Sequence, residues 1–273
     1  MKLSILPVSL FSEITSGKIT LAEWAEYAQN FGADGYYASI LFFPNSTPTT
    51  VMNMKQQLAD KNITIQPTMV CTYPDFTNPS KFERERQVDY FKRDLGLIAD
   101  FGFKYVRMTA GMAHEGLSIA DGVKNCRECV EQVIGTAEKY GLKLCVENHS
   151  KPGAWPLVDF TFNPDAFLAT YEMIKDLPVG INFDTANAIA CGANLHDMLS
   201  TVIDKVWTIH MNDSATVGFW TPIGIGKGLV DFDDVFDILK KNSFDGWVCI
   251  EEASGCGVQG AKDAIDFARK YVY

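Results

Sequence analysis

Four ionisable residues in the second half of the chain each come directly after a short apolar run. They are Glu147, Asp184, His210 and Glu251, and 37, 26 and 41 residues separate them. Each run has the length and composition of a buried strand, and each interval is about the length of one strand and one helix. If these strands lie side by side in a parallel sheet, their carboxyl ends bring three carboxylates and one imidazole into one small space.

Such a cluster has a specific chemical consequence. Three carboxylates in a pocket that excludes water lose their hydration and repel one another, and a divalent cation removes that conflict. One imidazole with several carboxylate oxygens suits Mn²⁺ or Mg²⁺, with Zn²⁺ or Co²⁺ as alternatives. The pattern therefore predicts a site for one divalent metal ion. The competing interpretation is that polar residues only cap strand ends, and it would have to hold on four consecutive strands.

Short apolar runs alternate with helical patterns along the whole chain. Apolar residues at spacings of three and four, as in Leu21, Trp24, Ala25 and Ala28, indicate helices with one buried face. Eight strand–helix units favour a parallel sheet closed into a (β/α)₈ TIM barrel, as a single domain over residues 1–273. An open doubly wound sheet is the alternative, but this sequence lacks the glycine-rich turn usual after its first strand. The predicted strands are Leu3–Leu10, Gly35–Ser39, Ile63–Val70, Tyr105–Thr109, Leu142–Val146, Val179–Phe183, Val206–Ile209 and Trp247–Ile250.

Two long loops, residues 150–163 and 212–231, would lie over the mouth of this barrel, where active sites are found. Trp155 and Trp220 lie in these loops and could stack on the apolar face of a substrate or pack the loops themselves. Gly224, Gly226 and Gly228 could cradle a phosphate or only shape the chain into the next helix. The loops are therefore candidate parts of a binding site.

Other polar residues near the predicted strand ends could also contact a substrate. His149, two residues after Glu147, could bind a hydroxyl group, act as an acid–base group or cap the backbone. Arg107, in the fourth predicted strand, could neutralise a substrate anion or pair with a barrel carboxylate. The candidate substrate-binding residues are His149, Asn187, Asp213, Trp155, Trp220, Arg107 and His114.

Five short motifs carry a family resemblance. They are "VENH" (Val146–His149), "FDTAN" (Phe183–Asn187), "IHMND" (Ile209–Asp213), "GIGKGLVDF" (Gly224–Phe232) and "CIEE" (Cys249–Glu252). In this order and spacing they resemble the sugar phosphate isomerase/epimerase superfamily, which is the xylose isomerase-like TIM barrel group. Its members include ketose 3-epimerases, hydroxypyruvate isomerase, inosose dehydratase and DNA repair enzymes of the endonuclease IV type.

The resemblance implies a role for each of the four clustered residues. Glu147, Asp184, His210 and Glu251 match the metal ligands of the family, and the motif match favours Glu251 over Glu252. Glu147 and Glu251 match the glutamates that move a proton at the carbon next to a substrate carbonyl. A metal ion bound to that carbonyl makes the C–H of this carbon acidic. The expected function is a divalent-metal-dependent isomerase or epimerase of a sugar or sugar-like polyol.

The departures from the family pattern keep other functions open. Asn187 stands where the repair endonucleases have a histidine, and the chain has only four histidines, which disfavours a nuclease with several zinc ions. The epimerases usually have an arginine shortly after the histidine of strand seven, and this chain has Asp213, Ser214 and Ala215 there. The alternatives are a metal-dependent lyase or dehydratase acting on an inosose or keto-glycoside, and a carbohydrate-binding barrel without turnover.

Composition restricts the partners of the chain. It has 24 Lys and Arg against 34 Asp and Glu, and a net charge of −10 disfavours binding to nucleic acid. No apolar run approaches the ~20 residues of a membrane helix, and Met1–Phe11 is interpreted as the first strand, not as a signal peptide. Most of the seven cysteines lie in apolar runs, which predicts reduced thiols and a cytoplasmic protein. The expected partner is a small carbohydrate, with a homo-oligomer possible.

Overall fold

Eight parallel strands, each paired with the next in the chain, close into a barrel when β1 pairs with β8. This computed structural model describes residues 1–43, 45–150 and 156–272. The single-domain (β/α)₈ barrel expected from the sequence is confirmed. The strands are β1 Lys2–Pro7, β2 Gly35–Ser39, β3 Gln66–Cys71, β4 Tyr105–Met108, β5 Lys143–Glu147, β6 Val179–Asp184, β7 Val206–Met211 and β8 Trp247–Glu252.

Helices cover the outside of the barrel, and most of them begin at a polar side chain that accepts a hydrogen bond from the first turn. In α2, Thr20 and Glu23 form a reciprocal capping box, and the helix buries Leu21, Trp24, Ala25 and Ala28 as its spacing predicts. Among the described residues, no helix is long and apolar enough to cross a membrane. The helices are α1 Phe11–Thr15, α2 Leu21–Asn30, α3 Pro48–Asp60, α4 Lys81–Asp100, α5 Ile119–Lys139, α6 Pro164–Ile174, α7 Thr185–Ala190, α8 Leu195–Val202, α9 Phe232–Lys241 and α10 Gly257–Ala268.

Two predicted strand boundaries were wrong for local reasons. The first strand ends at Pro7, not Leu10, because proline has no N–H for a sheet and the next residues form a 3-10 turn. The third strand begins at Gln66, not Ile63. Asn62 has a φ of 53°, and Ile63 N donates to Leu58 O, so this segment still belongs to the turn that ends α3.

Alternation along the strands gives the barrel interior a polar layer below its carboxyl-terminal mouth. Thr208 donates to Asn182 Oδ1 over 2.7 Å, and Ser4 donates to Cys249 Sγ over 3.0 Å. Side chains two residues further along a strand lie on the same face, one level nearer the mouth. Asp184 follows Asn182 in this way, His210 follows Thr208, and the strands therefore direct these ionisable groups inward.

All seven cysteines are free thiols, and Cys71, Cys126, Cys129, Cys145 and Cys249 are buried. The five buried thiols lie in apolar runs or on the packed face of α5. Their free and buried state matches the reduced thiols that the sequence predicts.

Candidate metal centre

Three of the four predicted ligands converge at the ends of β5, β6 and β7. Glu147, Asp184 and His210 are fully buried, and each offers a ligand atom within 4.8 Å of those of the other two. His210 Nδ1 lies 2.7 Å from Glu147 Oε1 and 3.7 Å from Asp184 Oδ2. The register explains this convergence, because Asp184 and His210 are direct partners in the sheet and Glu147 pairs with Asn182.

Glu251 lies next to this triad but is held by a different partner. It is 1% exposed near the end of β8, and its Oε2 accepts a 2.8 Å hydrogen bond from Asn212 Nδ2. Glu252 instead accepts from the Ser254 backbone N–H and packs beside Gly260 of α10. These contacts place Glu251 toward the mouth and Glu252 toward the helix, a choice that alternation alone could not make from the sequence.

The charges of the triad depend strongly on one another. Burial alone would raise the pKa of Glu147, but Arg107 and His210 outweigh it and hold this pKa well below its usual range. Burial raises the pKa of Asp184, and the charges of Glu251 and Glu147 raise it further against the opposing effect of His210. Burial would lower the pKa of His210, but Glu147 and Asp184 outweigh it and raise this pKa to about 9.

The arrangement fits a divalent ion on two grounds. Asp184 Oδ2 is buried and has no hydrogen-bond partner within the part of the chain that the structure describes, so one carboxylate oxygen facing the imidazole is unused. The donor set of two carboxylates and one imidazole suits Mn²⁺, Mg²⁺, Zn²⁺ or Co²⁺. His210 Nδ1 faces oxygens of both carboxylates, and a cation bound between these atoms would satisfy both acids.

Arg107 pairs with a barrel carboxylate, which is the second of the two roles considered from the sequence. Its Nε lies 2.8 Å from Glu147 Oε2, and its Nη1 and Nη2 donate to Thr72 O and Cys71 Sγ. The guanidinium is 1% exposed and lies over the ring of Tyr73. Each of the three guanidinium nitrogens therefore contacts a protein group, and substrate contact by Arg107 stays a prediction.

The two histidines predicted to contact a substrate, His149 and His114, each lie beside an acidic side chain. His149 Nδ1 lies 2.8 Å from Asp159 Oδ1, and both side chains are 1% exposed. His114 Nε2 lies 2.8 Å from Asp75 Oδ2, and Asp75 also accepts from the Met112 backbone N–H. His114 thus joins the segments that follow β3 and β4, whereas His149 stays directly beside the candidate metal ligands.

Among the remaining candidate substrate-binding residues, Asn187 has the polar atoms most suited to bind a ligand. It is fully buried one turn after Asp184, and within the described ranges neither its Nδ2 nor its Oδ1 has a hydrogen-bond partner. Its backbone N–H donates to Asp184 Oδ1, which caps α7. Trp220 is half-buried in the loop after β7, and Trp155 lies outside the described residues.

Asp213 holds the glycine-rich loop together. Its Oδ2 accepts from the N–H groups of Gly226 and Gly228, over 3.0 and 2.8 Å, and its Oδ1 accepts from those of Ser214 and Val230. A Cβ on Gly228 would collide with this carboxylate, which explains the glycine there. The N–H groups that could have cradled a phosphate thus bind the chain's own carboxylate, and substrate contact by Asp213 stays a prediction.

Asp213→Ala should loosen this loop. Four backbone N–H groups lose a charged acceptor, and we expect the free energy of unfolding to fall by about 1.5–3 kcal/mol, the range for one hydrogen bond to a charge, because water replaces part of the loss. Urea denaturation measures this change, and Asp231→Ala, which removes only a helix cap, serves as the matched control at about 1 kcal/mol. Equal denaturation midpoints for Asp213→Ala and the unsubstituted protein would contradict the role.

Sequence reasoning missed Tyr37, Cys71, Asn148 and Asp159. Asn148 Oδ1 accepts from Asp184 N and its Nδ2 donates to Asp184 O, so it fixes the end of β6. Tyr37 and Cys71 look like core residues, because they stand in apolar runs of β2 and β3. Cys71 is the last residue of β3, a position like those of the ionisable residues, whereas Tyr37 lies in the middle of β2 and carries no such signal.

Comparison with known proteins finds one matching family model and several related sequences. A family model described as "Xylose isomerase-like TIM barrel" matches residues 25–271. The chain is 23% identical over 195 residues to an inosose isomerase of Halalkalibacterium halodurans, covering 68% of this chain and 66% of that enzyme. It is 23% identical over 219 residues to a putative L-ribulose-5-phosphate 3-epimerase of Haemophilus influenzae, covering 76% of this chain and 72% of the relative.

The fold likeness extends over nearly the whole chain. The crystal structure of an IOLI protein with a bound zinc atom superimposes with a TM-score of 0.77 at 20% identity. This superposition covers 99% of both chains. The match over the inosose isomerase spans just under two thirds of that enzyme's length.

Proposed function

The chain belongs to the xylose isomerase-like TIM barrel family, and from this premise we propose that it is a divalent-metal-dependent isomerase or epimerase of a sugar or sugar-like polyol. The observation that carries the proposal is the convergence of Glu147, Asp184 and His210 within 4.8 Å at the barrel mouth. Glu251, buried on the neighbouring strand, completes the proposed ligand set. The ion is proposed to be Mn²⁺ or Mg²⁺, and Zn²⁺ or Co²⁺ suit the same donors.

Proton transfer is assigned to Glu147 and Glu251. A bound ion would polarise a substrate carbonyl and its neighbouring hydroxyl group. This makes the C–H acidic on the carbon that bears the hydroxyl group. β5 and β8 lie three strands apart around the barrel, so the two carboxylates approach the mouth from different sides. One carboxylate takes the proton and the other returns one to the opposite face of the carbon. Arg107 keeps Glu147 ionised, which is the form that a base requires.

Substrate binding is assigned to polar groups beside these ligands. Asn187 offers a buried amide with both polar atoms unused within the described part of the chain, which suits two hydroxyl groups of a polyol. His149, oriented by Asp159, offers a further donor or acceptor at the end of β5. Trp155 and Trp220 are proposed to cover the sugar ring. An amide and an imidazole can hydrogen-bond to the hydroxyl groups of an uncharged substrate.

A metal-dependent lyase or dehydratase is the second candidate, and the His149–Asp159 pair is the observation that favours it. Removal of the same α-proton starts both reactions, and they diverge when a leaving group departs. An imidazole held 2.8 Å from a buried carboxylate can donate a proton to a departing hydroxyl group. Released water or a released fragment therefore distinguishes this candidate from an epimerase.

Turnover in D₂O tests the proposal. The protein is incubated in D₂O with Mg²⁺ or Mn²⁺ and with a ketose, an inosose or a keto-glycoside. After the reaction the ion is removed with a chelator, and the products are identified by NMR. We expect deuterium on the carbon next to the carbonyl, because a carboxylate that moves the proton exchanges with solvent. Product without deuterium at that carbon would contradict proton transfer, and binding of sugars without any conversion would favour the non-catalytic barrel.

A further inference from the structure

The second nitrogen of His210 has a specific partner inside the barrel. His210 Nε2 lies 2.9 Å from the Tyr37 hydroxyl, and the two ring centroids are 5.2 Å apart. Tyr37 is fully buried, and its backbone oxygen accepts a hydrogen bond from Trp24 Nε1 of α2. The backbone at Tyr37 is thus anchored to the helix layer, and its phenol contacts the imidazole.

The hydroxyl of Tyr37 also touches Cys71, which continues the chain of contacts. Tyr37 Oη lies 2.6 Å from Cys71 Sγ, and Arg107 Nη2 donates to the same sulfur over 2.7 Å. Arg107 pairs with Glu147, and Glu147 Oε1 returns to His210 Nδ1. These five buried side chains, Tyr37, Cys71, Arg107, Glu147 and His210, form a closed polar ring contributed by β2, β3, β4, β5 and β7.

The ring treats the two imidazole nitrogens differently. Nδ1 faces the carboxylates of Glu147 and Asp184, whereas Nε2 faces only the phenol among its described hydrogen-bond partners. A neutral imidazole carries one proton, and a metal ion needs the nitrogen without it. If the Tyr37 hydroxyl donates to Cys71 Sγ, its oxygen accepts from Nε2–H, and Nδ1 keeps a lone pair directed at the carboxylates.

We propose that Tyr37 is a positioning residue that holds the His210 proton on Nε2 and so leaves Nδ1 to bind the divalent ion. The inference rests on the proposed metal site and adds a group that does not itself touch the ion. Cys71 serves as the acceptor that directs the single Tyr37 proton away from the imidazole. Without Cys71 as acceptor, the Tyr37 hydroxyl could donate its proton to Nε2. The single imidazole proton would then lie on Nδ1, where it would compete with the ion.

Tyr37→Phe tests this role, with Tyr36→Phe as the matched control. Tyr36 is the neighbouring residue on β2, it is 3% exposed, and its hydroxyl has no hydrogen-bond partner within the described residues. Zn²⁺ is the probe, because it binds such sites more tightly than Mn²⁺ and is diamagnetic. Its dissociation constant is measured by competition with a chelating dye, starting from metal-free protein.

We expect Tyr37→Phe to weaken Zn²⁺ binding by about 10–100-fold, the usual effect of removing the partner of a ligating histidine. Tyr36→Phe should bind as the unsubstituted protein does. Cys71→Ala, which keeps the phenol but removes its acceptor, should fall between the two. In the zinc-bound protein, ¹⁵N NMR should show the His210 proton on Nε2, and this preference should be lost in Tyr37→Phe.

The outcomes separate this role from the site itself. If the unsubstituted protein binds no divalent ion, both the metal site and the positioning role are overturned. If it binds Zn²⁺ and Tyr37→Phe binds equally well, only the positioning role is overturned. A proton on Nδ1 in the zinc-bound protein would also overturn it, whatever the affinities are.

Discussion

Asp184→Ala loses the bound metal ion and nearly all turnover. Asp184 Oδ2 is a buried oxygen that has no hydrogen-bond partner in the described residues, and it faces His210 Nδ1 across 3.7 Å. Loss of a residue that only supports a ligand weakens metal binding by about 10–100-fold. Removing Asp184, a direct ligand, should therefore weaken metal binding by more than this. Metal content after dialysis and titration calorimetry measure the change.

Asp184→Asn is the matched control for folding. Asp184 also caps α7 by accepting from Asn187 N, and the amide oxygen of asparagine keeps that bond. Alanine removes it and should cost about 1 kcal/mol of stability. Because the fold raises the pKa of Asp184, its ionised form destabilises the metal-free protein, and Asp184→Asn should be at least as stable as the parent without metal. Full activity of metal-free Asp184→Ala would refute the site.

Glu147→Gln and Glu251→Gln should each reduce turnover by ~10²-fold or more, the usual contribution of a positioned acid–base group. An amide cannot take or return the proton, but its oxygen can still coordinate an ion, so part of the metal binding should remain. Rates are measured with saturating ion, on whichever substrate shows deuterium incorporation. A rate equal to that of the unsubstituted protein in either variant would exclude that glutamate from proton transfer.

The two glutamine variants should differ in stability, which separates catalysis from folding. Glu147→Gln leaves the buried Arg107 guanidinium without its carboxylate, and breaking such a pair costs about 3–5 kcal/mol. Glu251→Gln keeps an oxygen that accepts from Asn212 Nδ2, so its unfolding midpoint should change little. Rates are therefore compared well below the unfolding temperature of Glu147→Gln. Equal destabilisation of the two variants would contradict the role of the Arg107–Glu147 pair.

The strand periodicity made the barrel and the triad predictable from the sequence. Glu147, Asp184 and His210 end consecutive strands of a parallel sheet, and closure of that sheet is sufficient to bring them together. Glu251 was named from the family motif, because alternation alone does not distinguish it from Glu252. Only the contacts with Asn212 and with α10 make that distinction.

Other features depend on distances that a sequence does not contain. Arg107 had two possible partners, and only the fold shows its pair with Glu147. Tyr37 and Cys71 stand in apolar runs, which predict core packing and do not indicate the contacts that join them to the polar ring. The Asp213 carboxylate reaches N–H groups up to seventeen residues away along a loop, and loop conformation does not follow from residue pattern. The strand ends at Pro7 and Gln66 depended on local turn geometry in the same way.

Anomalous diffraction from crystals grown with Mn²⁺ tests the central claim most directly. The account predicts one peak at the ends of β5, β6 and β7, about 2.0–2.3 Å from His210 Nδ1 and from oxygens of Glu147 and Asp184. The same data should show the Glu251 carboxylate turned toward that peak. A peak elsewhere on the chain, or density between these three side chains that holds no ion at millimolar Mn²⁺, would contradict the account.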